Sequence, residues 1–221
     1  LLENTDCDDI SATAASTFPG AAPNDSGSAC MKDVDGDDYG DDTPPAGVSS
    51  GSDCNDLDAG LNPVTNWYAD TDGDSFGDPA VTLVQCAQPA GYVLDNTDCD
   101  DTSATAASTF PGAALNDNVS ACMKDVDGDD YGDDTPPGGV TAGTDCDDTD
   151  AGLDPDTIWH ADTDSDTYGD AAVTLTQCAQ PAGYVLDSTD CDDTSASAAS
   201  TFPGAAPNDN SSACMKDVDG D

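Results

Sequence analysis

The residues of this chain best suited to chemistry are aspartates at alternate positions. In Asp125-Val-Asp127-Gly-Asp129-Asp-Tyr131-Gly-Asp133, carboxylates stand at positions 1, 3, 5 and 9, a glycine at 4 and an aromatic residue at 7. Hard dications take six to eight oxygen ligands, and a D-x-D-G-D loop supplies them from side chains at positions 1, 3 and 5 and a backbone carbonyl at position 7. The pattern recurs as Asp33, Asp35, Asp37, Tyr39 and Asp41, as Asp70, Asp72, Asp74, Phe76 and Asp78, and as Asp162, Asp164, Asp166, Tyr168 and Asp170. A shorter copy has Asp217, Asp219 and Asp221. The expected cofactor is Ca²⁺, several ions per repeat. Ser165 replaces the position-4 glycine in one copy, so that loop is expected to turn differently or to bind more weakly.

A second acidic element is an Asp-Cys box. Its copies are Asp6, Asp8 and Asp9 around Cys7; Asp53 and Asp56 around Cys54; Asp98, Asp100 and Asp101 around Cys99; Asp145, Asp147 and Asp148 around Cys146; and Asp190, Asp192 and Asp193 around Cys191. One loop alone offers too few ligands to close a coordination shell. Each box is therefore expected to fold back onto a neighbouring loop and share its ions, at roughly two to four ions per half-repeat.

These elements are set in a periodic chain. Cys7, Cys99 and Cys191 are spaced by 92 residues, as are Cys30, Cys122 and Cys214. The expected organisation is one unit at 1–92 (halves 1–47 and 48–92), a second at 93–184 (halves 93–139 and 140–184) and a partial third at 185–221. The chain reads as a window on a longer repeat array. Secondary structure is expected to be sparse. Trp67 to Ala69 and Ala80 to Val84 read as short strands, and Ser11 to Ser16 as one helical turn capped by Asp9.

Composition narrows the function. The formal charge is −44, from 47 acidic and three basic residues, and the cations Lys32, Lys124 and Lys216 occupy equivalent positions. Such a chain repels itself open unless something neutralises it. Disorder and a merely solvated acidic surface are the competing readings, and ten cysteines with recurrent glycine turns argue against both. Phosphate binding needs Lys and Arg, so nucleic acid is not an expected partner. No apolar run reaches the roughly 18 residues of a membrane span. Aromatic residues make up 5 % of the chain, too few for a conventional core of this length, which leaves metal and cross-links to stabilise it.

The cysteines imply disulfides and an oxidising, extracellular or cell-surface setting. Two registers are open. The favoured one pairs Cys30–Cys54, Cys86–Cys99, Cys122–Cys146 and Cys178–Cys191, because it closes the shortest loop and staples each box to what precedes it. The other pairs Cys7–Cys30, Cys54–Cys86, Cys99–Cys122, Cys146–Cys178 and Cys191–Cys214. Position-7 aromatics and Trp67 and Trp159 are expected to form small apolar plugs between repeats. The sequons at Asn24, Asn118 and Asn210 offer glycan acceptors. No nucleophile–base constellation recurs, so no enzyme activity is expected.

The boxes Asp-Cys-Asp-Asp, Pro-Gly-Ala, Trp-Tyr-Ala-Asp-x-Asp-Gly-Asp-x-Phe-Gly-Asp and Cys-x-x-Pro-Ala-Gly-Tyr-Val resemble the MopE-type metal-binding repeats of bacterial secreted and surface proteins. They are also similar to calcium-wrapped thrombospondin type 3 repeats. The resemblance implies secretion, metal binding and an elongated form. The expected fold is thus a turn-rich, Ca²⁺-wrapped repeat array with a few short β-strands, a minimal core and local disulfides. The expected function is a structural fibre that associates with itself along or beside the fibre axis. The alternatives are the rigid stalk of an adhesin and an acidic calcium-sequestering protein.

Overall fold

The computed structural model describes residues 7, 8 and 11–220. Asp6, Asp9 and Asp221, named above as candidate ligands, lie outside the described residues, as does the expected cap at Asp9. The chain forms two compact units, Leu1–Ala107 and Ser108–Asp221.

The first unit holds five short strands: β1 (Thr17–Pro19), β2 (Cys30–Lys32), β3 (Asn66–Ala69), β4 (Asp78–Val84) and β5 (Tyr92–Val93). β1 and β2 form an antiparallel hairpin with Phe18 opposite Met31. The other three form a sheet of order β4-β3-β5. The strands expected at Trp67 to Ala69 and Ala80 to Val84 are thus present, each slightly longer than read. The turn expected over Ser11 to Ser16 shrinks to a 3-10 turn at Ala14–Ser16 with no side-chain cap. Asp8 instead accepts the N–H of Ser11 ahead of it.

The second unit repeats these elements. Its strands are β6 (Thr109–Pro111), β7 (Cys122–Lys124), β8 (Ile158–Ala161), β9 (Asp170–Thr176), β10 (Tyr184–Val185), β11 (Thr201–Pro203) and β12 (Cys214–Lys216). β6 pairs with β7 and β11 with β12, and β10-β8-β9 form the three-stranded sheet.

Buried apolar groups are few and small. Met31, Ala22 and Trp67 are buried in the first unit, as are Met123, Ala114 and Trp159 in the second. Each tryptophan Nε1–H donates to a backbone carbonyl, of Gln85 at 2.9 Å and of Gln177 at 2.7 Å. The apolar ring is thereby buried with its one polar group satisfied. In the second unit the Tyr168 ring stacks on Phe202, with centroids 5.2 Å apart, so one loop aromatic packs on the next half-repeat.

No described cysteine is free, and the register is the one not favoured above. The bridges are Cys7–Cys30, Cys54–Cys86, Cys146–Cys178 and Cys191–Cys214. Cys99 and Cys122 are disulfide-bonded as well. The expected pairs Cys30–Cys54, Cys86–Cys99, Cys122–Cys146 and Cys178–Cys191 do not form. Strand pairing overrides loop length here. β4 runs back along β3 until the Gln85 N–H reaches the Thr65 carbonyl, which returns Cys86 to the start of its own half. There it lies 5.2 Å, Cα to Cα, from Cys54, within the usual disulfide span.

Candidate metal centres

The acidic loops are bent by paired left-handed residues. Gly36, Gly73 and Gly128 at position 4 have φ of 83°, 83° and 82°, and the position-6 residues Asp38, Ser75, Asp130 and Thr167 are also left-handed. Ser165 adopts φ 66° in place of the glycine, so the loop at Asp162 turns the same way. Its internal bonding shifts. Asp33, Asp70 and Asp125 accept the N–H of position 4, whereas Asp162 accepts that of Asp166 instead.

Each box folds back onto the loop before it. The first Asp of the box donates its N–H to the carbonyl of the position-8 glycine: Asp53 to Gly40, Asp98 to Gly77, Asp145 to Gly132 and Asp190 to Gly169. The contact is close because the loop residue has no side chain. A Cβ on Gly77 would lie 2.6 Å from Tyr68 Cβ.

This folding crowds carboxylates. Ligand-capable oxygens lie within 4.8 Å of one another in four groups: Asp33, Asp35 and Asp37; Asp70, Asp72 and Asp101; Asp125, Asp127 and Asp129; and Asp162, Asp164 and Asp193. Oxygens bound to one ion at 2.3–2.6 Å lie at most about 5 Å apart, so the spacing suits a shared cation.

The carboxylates divide into two kinds. Some have both oxygens engaged by the fold. Asp101 accepts the Thr71 and Asp72 N–H groups on Oδ1 and the Thr71 hydroxyl on Oδ2. Asp193 holds Thr163 and Asp164 in the same way. Asp33 and Asp125 likewise tie their own loops with both oxygens. Asp56 and Asp148 accept the N–H of Asp42 and Asp134, and Asp100 and Asp192 hold Ser103 and Ser195. At the end of the chain Asp217 accepts the Gly220 N–H, and among the described residues no acidic cluster forms around Asp217 and Asp219.

The other kind presents solvent-inaccessible oxygens with no partner, fourteen among the described residues. They belong to loop position 3 (Asp35, Asp72, Asp127, Asp164), position 5 (Asp37, Asp74, Asp129, Asp166), position 9 (Asp41, Asp133) and the box (Asp98, Asp190). A buried carboxylate oxygen left unpaired is costly, and its recurrence at fixed repeat positions suits groups that could hold a metal ion. Burial, then neighbouring carboxylates, pushes Asp74 and Asp145 up to about 6. Burial raises Asp35, Asp72, Asp127 and Asp53 as well, each also facing other loop or box carboxylates. A cation would relieve both penalties.

Position 9 separates the two kinds of half-repeat. Lys32 pairs with Asp41, and Lys124 with Asp133, both aspartates being almost fully buried. Asp78 and Asp170 lack a lysine and accept the N–H of Ala80 and Ala172. They line acidic cavities of about 320 Å³, with Asp98, Asp100 and Asp101, and about 240 Å³, with Asp190, Asp192 and Asp193. The position-7 residues Tyr39, Phe76, Tyr131 and Tyr168 donate their N–H to the position-5 carboxylate. Asp147 is capped by the Thr149 hydroxyl.

Two acids that hold the loops in place fell outside the expected set. Asp25 accepts the Gly40 and Ser52 N–H groups and the Ser52 hydroxyl, and Asp117 does the same with Gly132 and Thr144. Burial raises each carboxyl, but those bonds more than offset it and hold both below the ordinary range. The signal was available, since Asp25, Asp117 and Asp209 recur at the 92-residue period.

Comparison with protein-family models, with curated proteins and with solved structures gives no match. The donor set is therefore argued on its own chemistry. It is all oxygen: the described cysteines are closed in disulfides, and the single histidine, His160, turns Nδ1 toward the Asp170 carbonyl. Hard cations suit such a set, and zinc and copper do not.

Proposed function

We propose that this chain is a non-enzymatic, Ca²⁺-stabilised structural repeat protein of an extracellular fibre. The observation that carries the reading is the recurrence of buried, unpartnered carboxylate oxygens at loop positions 3 and 5 in all four complete loops. The loop-and-box pair would wrap the ion. Asp35, Asp37, Asp41 and Asp53 would hold it in the first half, and Asp72, Asp74 and Asp98 in the second. The same positions serve in the second unit. Asp101 and Asp193 fix the loop backbone and so set where the ligands stand. When bound, Ca²⁺ supplies charge neutralisation and the ordering of turns that lack a large core. Disulfides favour an oxidising setting, and among the described residues no helix is long and apolar enough to cross a membrane.

Near-identical units that each carry their own sites suit a structural array, and the resemblance to calcium-wrapped repeats supports the same reading. The stalk and calcium-sequestering readings differ from it in what surrounds the array and in how fast the ions exchange. Exposed Asn118 and Asn210 remain open to glycan.

The test is Ca²⁺ titration calorimetry, with circular dichroism and small-angle scattering on the disulfide-intact chain before and after EGTA. Slowly exchanging ions, at one or more per half-repeat, with expansion on chelation, are the expected result. Fewer than one ion per half, or no structural response, would remove metal from the account.

A further inference from the structure

β4 and β9 are edge strands of their sheets, and among the described residues no strand pairs with their outer sides. In the first unit the Gln85 N–H donates to Thr65 and Trp67 pairs with Leu83, so Leu83 and Gln85 turn their backbone groups toward β3. By the alternation of an antiparallel ladder, Thr82 and Val84 turn theirs outward. Thr174 and Thr176 do so in β9, because Gln177 donates to Thr157 and Trp159 pairs with Leu175. Every residue from Pro79 to Val84 is exposed, including Val81 at 45 %, Leu83 at 42 % and Val84 at 57 %. Open edges with apolar side chains are templates for pairing with another strand, and proteins that avoid this place charge on them. Here charge is missing. Residues 79–94 and 171–186 contain no charged side chain in a chain of formal charge −44.

We propose that β4 and β9 are docking edges for the same edge of a second copy of this chain, joined by antiparallel strand addition. The charge distribution selects the occupant. Two copies repel wherever their acidic loops meet, and a cationic partner is drawn to those loops and away from an uncharged edge. Backbone geometry accommodates it. A two-fold register centred on Leu83 places Thr82 opposite the partner's Val84, so the outward N–H and C=O groups of each satisfy the other. It sets Leu83 against its own copy in the closely spaced, non-hydrogen-bonded pair. Centred on Leu175, the same register pairs Thr174 with Thr176. The Ala80 N–H, already bonded to Asp78, is not needed. Pro79 and the bulge in the β3–β4 register confine pairing to the end of the strand.

The inference rests on the fibre reading of the proposed function and adds the surface that carries assembly. The experiment is sedimentation velocity on the full chain across a concentration series, at saturating Ca²⁺ and at high salt, comparing wild type with T82P/T174P and T82V/T174V. Proline removes the outward N–H and fixes φ, changes that an edge position tolerates, and unchanged circular dichroism controls for the second. Wild type and the valine variant are expected to associate. The proline variant is expected to stay monomeric, or to associate at least 10-fold more weakly, with Ca²⁺ stoichiometry and circular dichroism unchanged. A monomeric wild type overturns the proposal. So does a proline variant that associates as wild type does, which would assign assembly to Ca²⁺ bridging between acidic loops. Stoichiometry is read separately, so absence of Ca²⁺ binding would sink the metal reading while leaving this comparison interpretable.

Discussion

At the scale of single residues, aspartates identical in sequence do two different jobs. Asp145 is a buried box carboxylate whose pKa is pushed up to about 6 by burial and by the nearby loop acids. Replacing it with Asn removes that charge and keeps the Oδ1 acceptor for the Asp147 N–H. Asp145→Asn is therefore expected to raise the melting temperature of the metal-free protein and to lower that of the Ca²⁺-saturated protein. The loss with Ca²⁺ corresponds to at least about 1.4 kcal/mol if affinity falls tenfold. Thermal scans with and without EGTA check the pair of signs, and a change in the same direction in both would show that Asp145 is no ligand. Asp117 has the opposite character. Asp117→Ala strands the donors of Gly132 and Thr144, costing about 2 kcal/mol whether or not Ca²⁺ is present, as denaturant melts would measure. Spacing made the acidic positions legible, but not this division of labour. Whether an oxygen is free depends on which N–H groups the folded loop turns toward it. The clue to Asp25, which also falls inside the Asn24 sequon, is its recurrence in register as Asp117 and Asp209.

At the scale of elements, position and pairing matter more than local propensity. β3 and β4 were legible because Trp, Tyr, Val and Leu cluster between turn signals, whereas the hairpins β1–β2, β6–β7 and β11–β12 and the two-residue strands β5 and β10 were not. The disulfide register was not, because loop length says nothing about where a sheet returns the chain. The turn at Gly132 and the segment at Gly143 approach closely, as Gly40 and Gly51 do in the first unit. A Cβ on Gly143 would lie 2.2 Å from the Gly132 carbonyl oxygen and 2.5 Å from Asp117 Oδ2. The backbone cannot yield there without losing the Gly143 N–H bond to the Asp133 carbonyl. Gly143→Ala is thus expected to cost about 3 kcal/mol by overpacking, and to weaken Ca²⁺ binding through displacement of Asp145. Gly138→Ala, where nothing lies within 4 Å of the added Cβ, is the matched control and should leave both unchanged. Equal effects from the two would show that conformational entropy, not close approach, governs these turns.

At the scale of the whole molecule, the formal charge of −44 makes stability a function of what neutralises it. Asp74 and Asp145 titrate near 6 in the fold against an ordinary value of 3.8. The folded metal-free protein therefore binds more protons than the unfolded chain between those values, and its stability falls as pH rises through them. Asp25, Asp100 and Asp117 act in the other sense, since hydrogen bonds hold them low and their contribution disappears only in more acidic solution. With Ca²⁺ the slope reverses, because a ligand carboxylate must lose its proton to bind. Melting temperatures measured from pH 4 to pH 7 should therefore fall in EGTA and rise in saturating Ca²⁺, the two curves diverging toward neutrality. Monovalent salt separates general screening from site binding. At about 1 M the Debye length is near 3 Å, which screens surface repulsion but acts less on carboxylate oxygens already packed together and shielded from solvent. Salt should lift the EGTA curve by only part of the gap at pH 7. If it closes the gap entirely, diffuse charge is what opposes folding, and the loop-and-box pairs are acidic surface without bound ions.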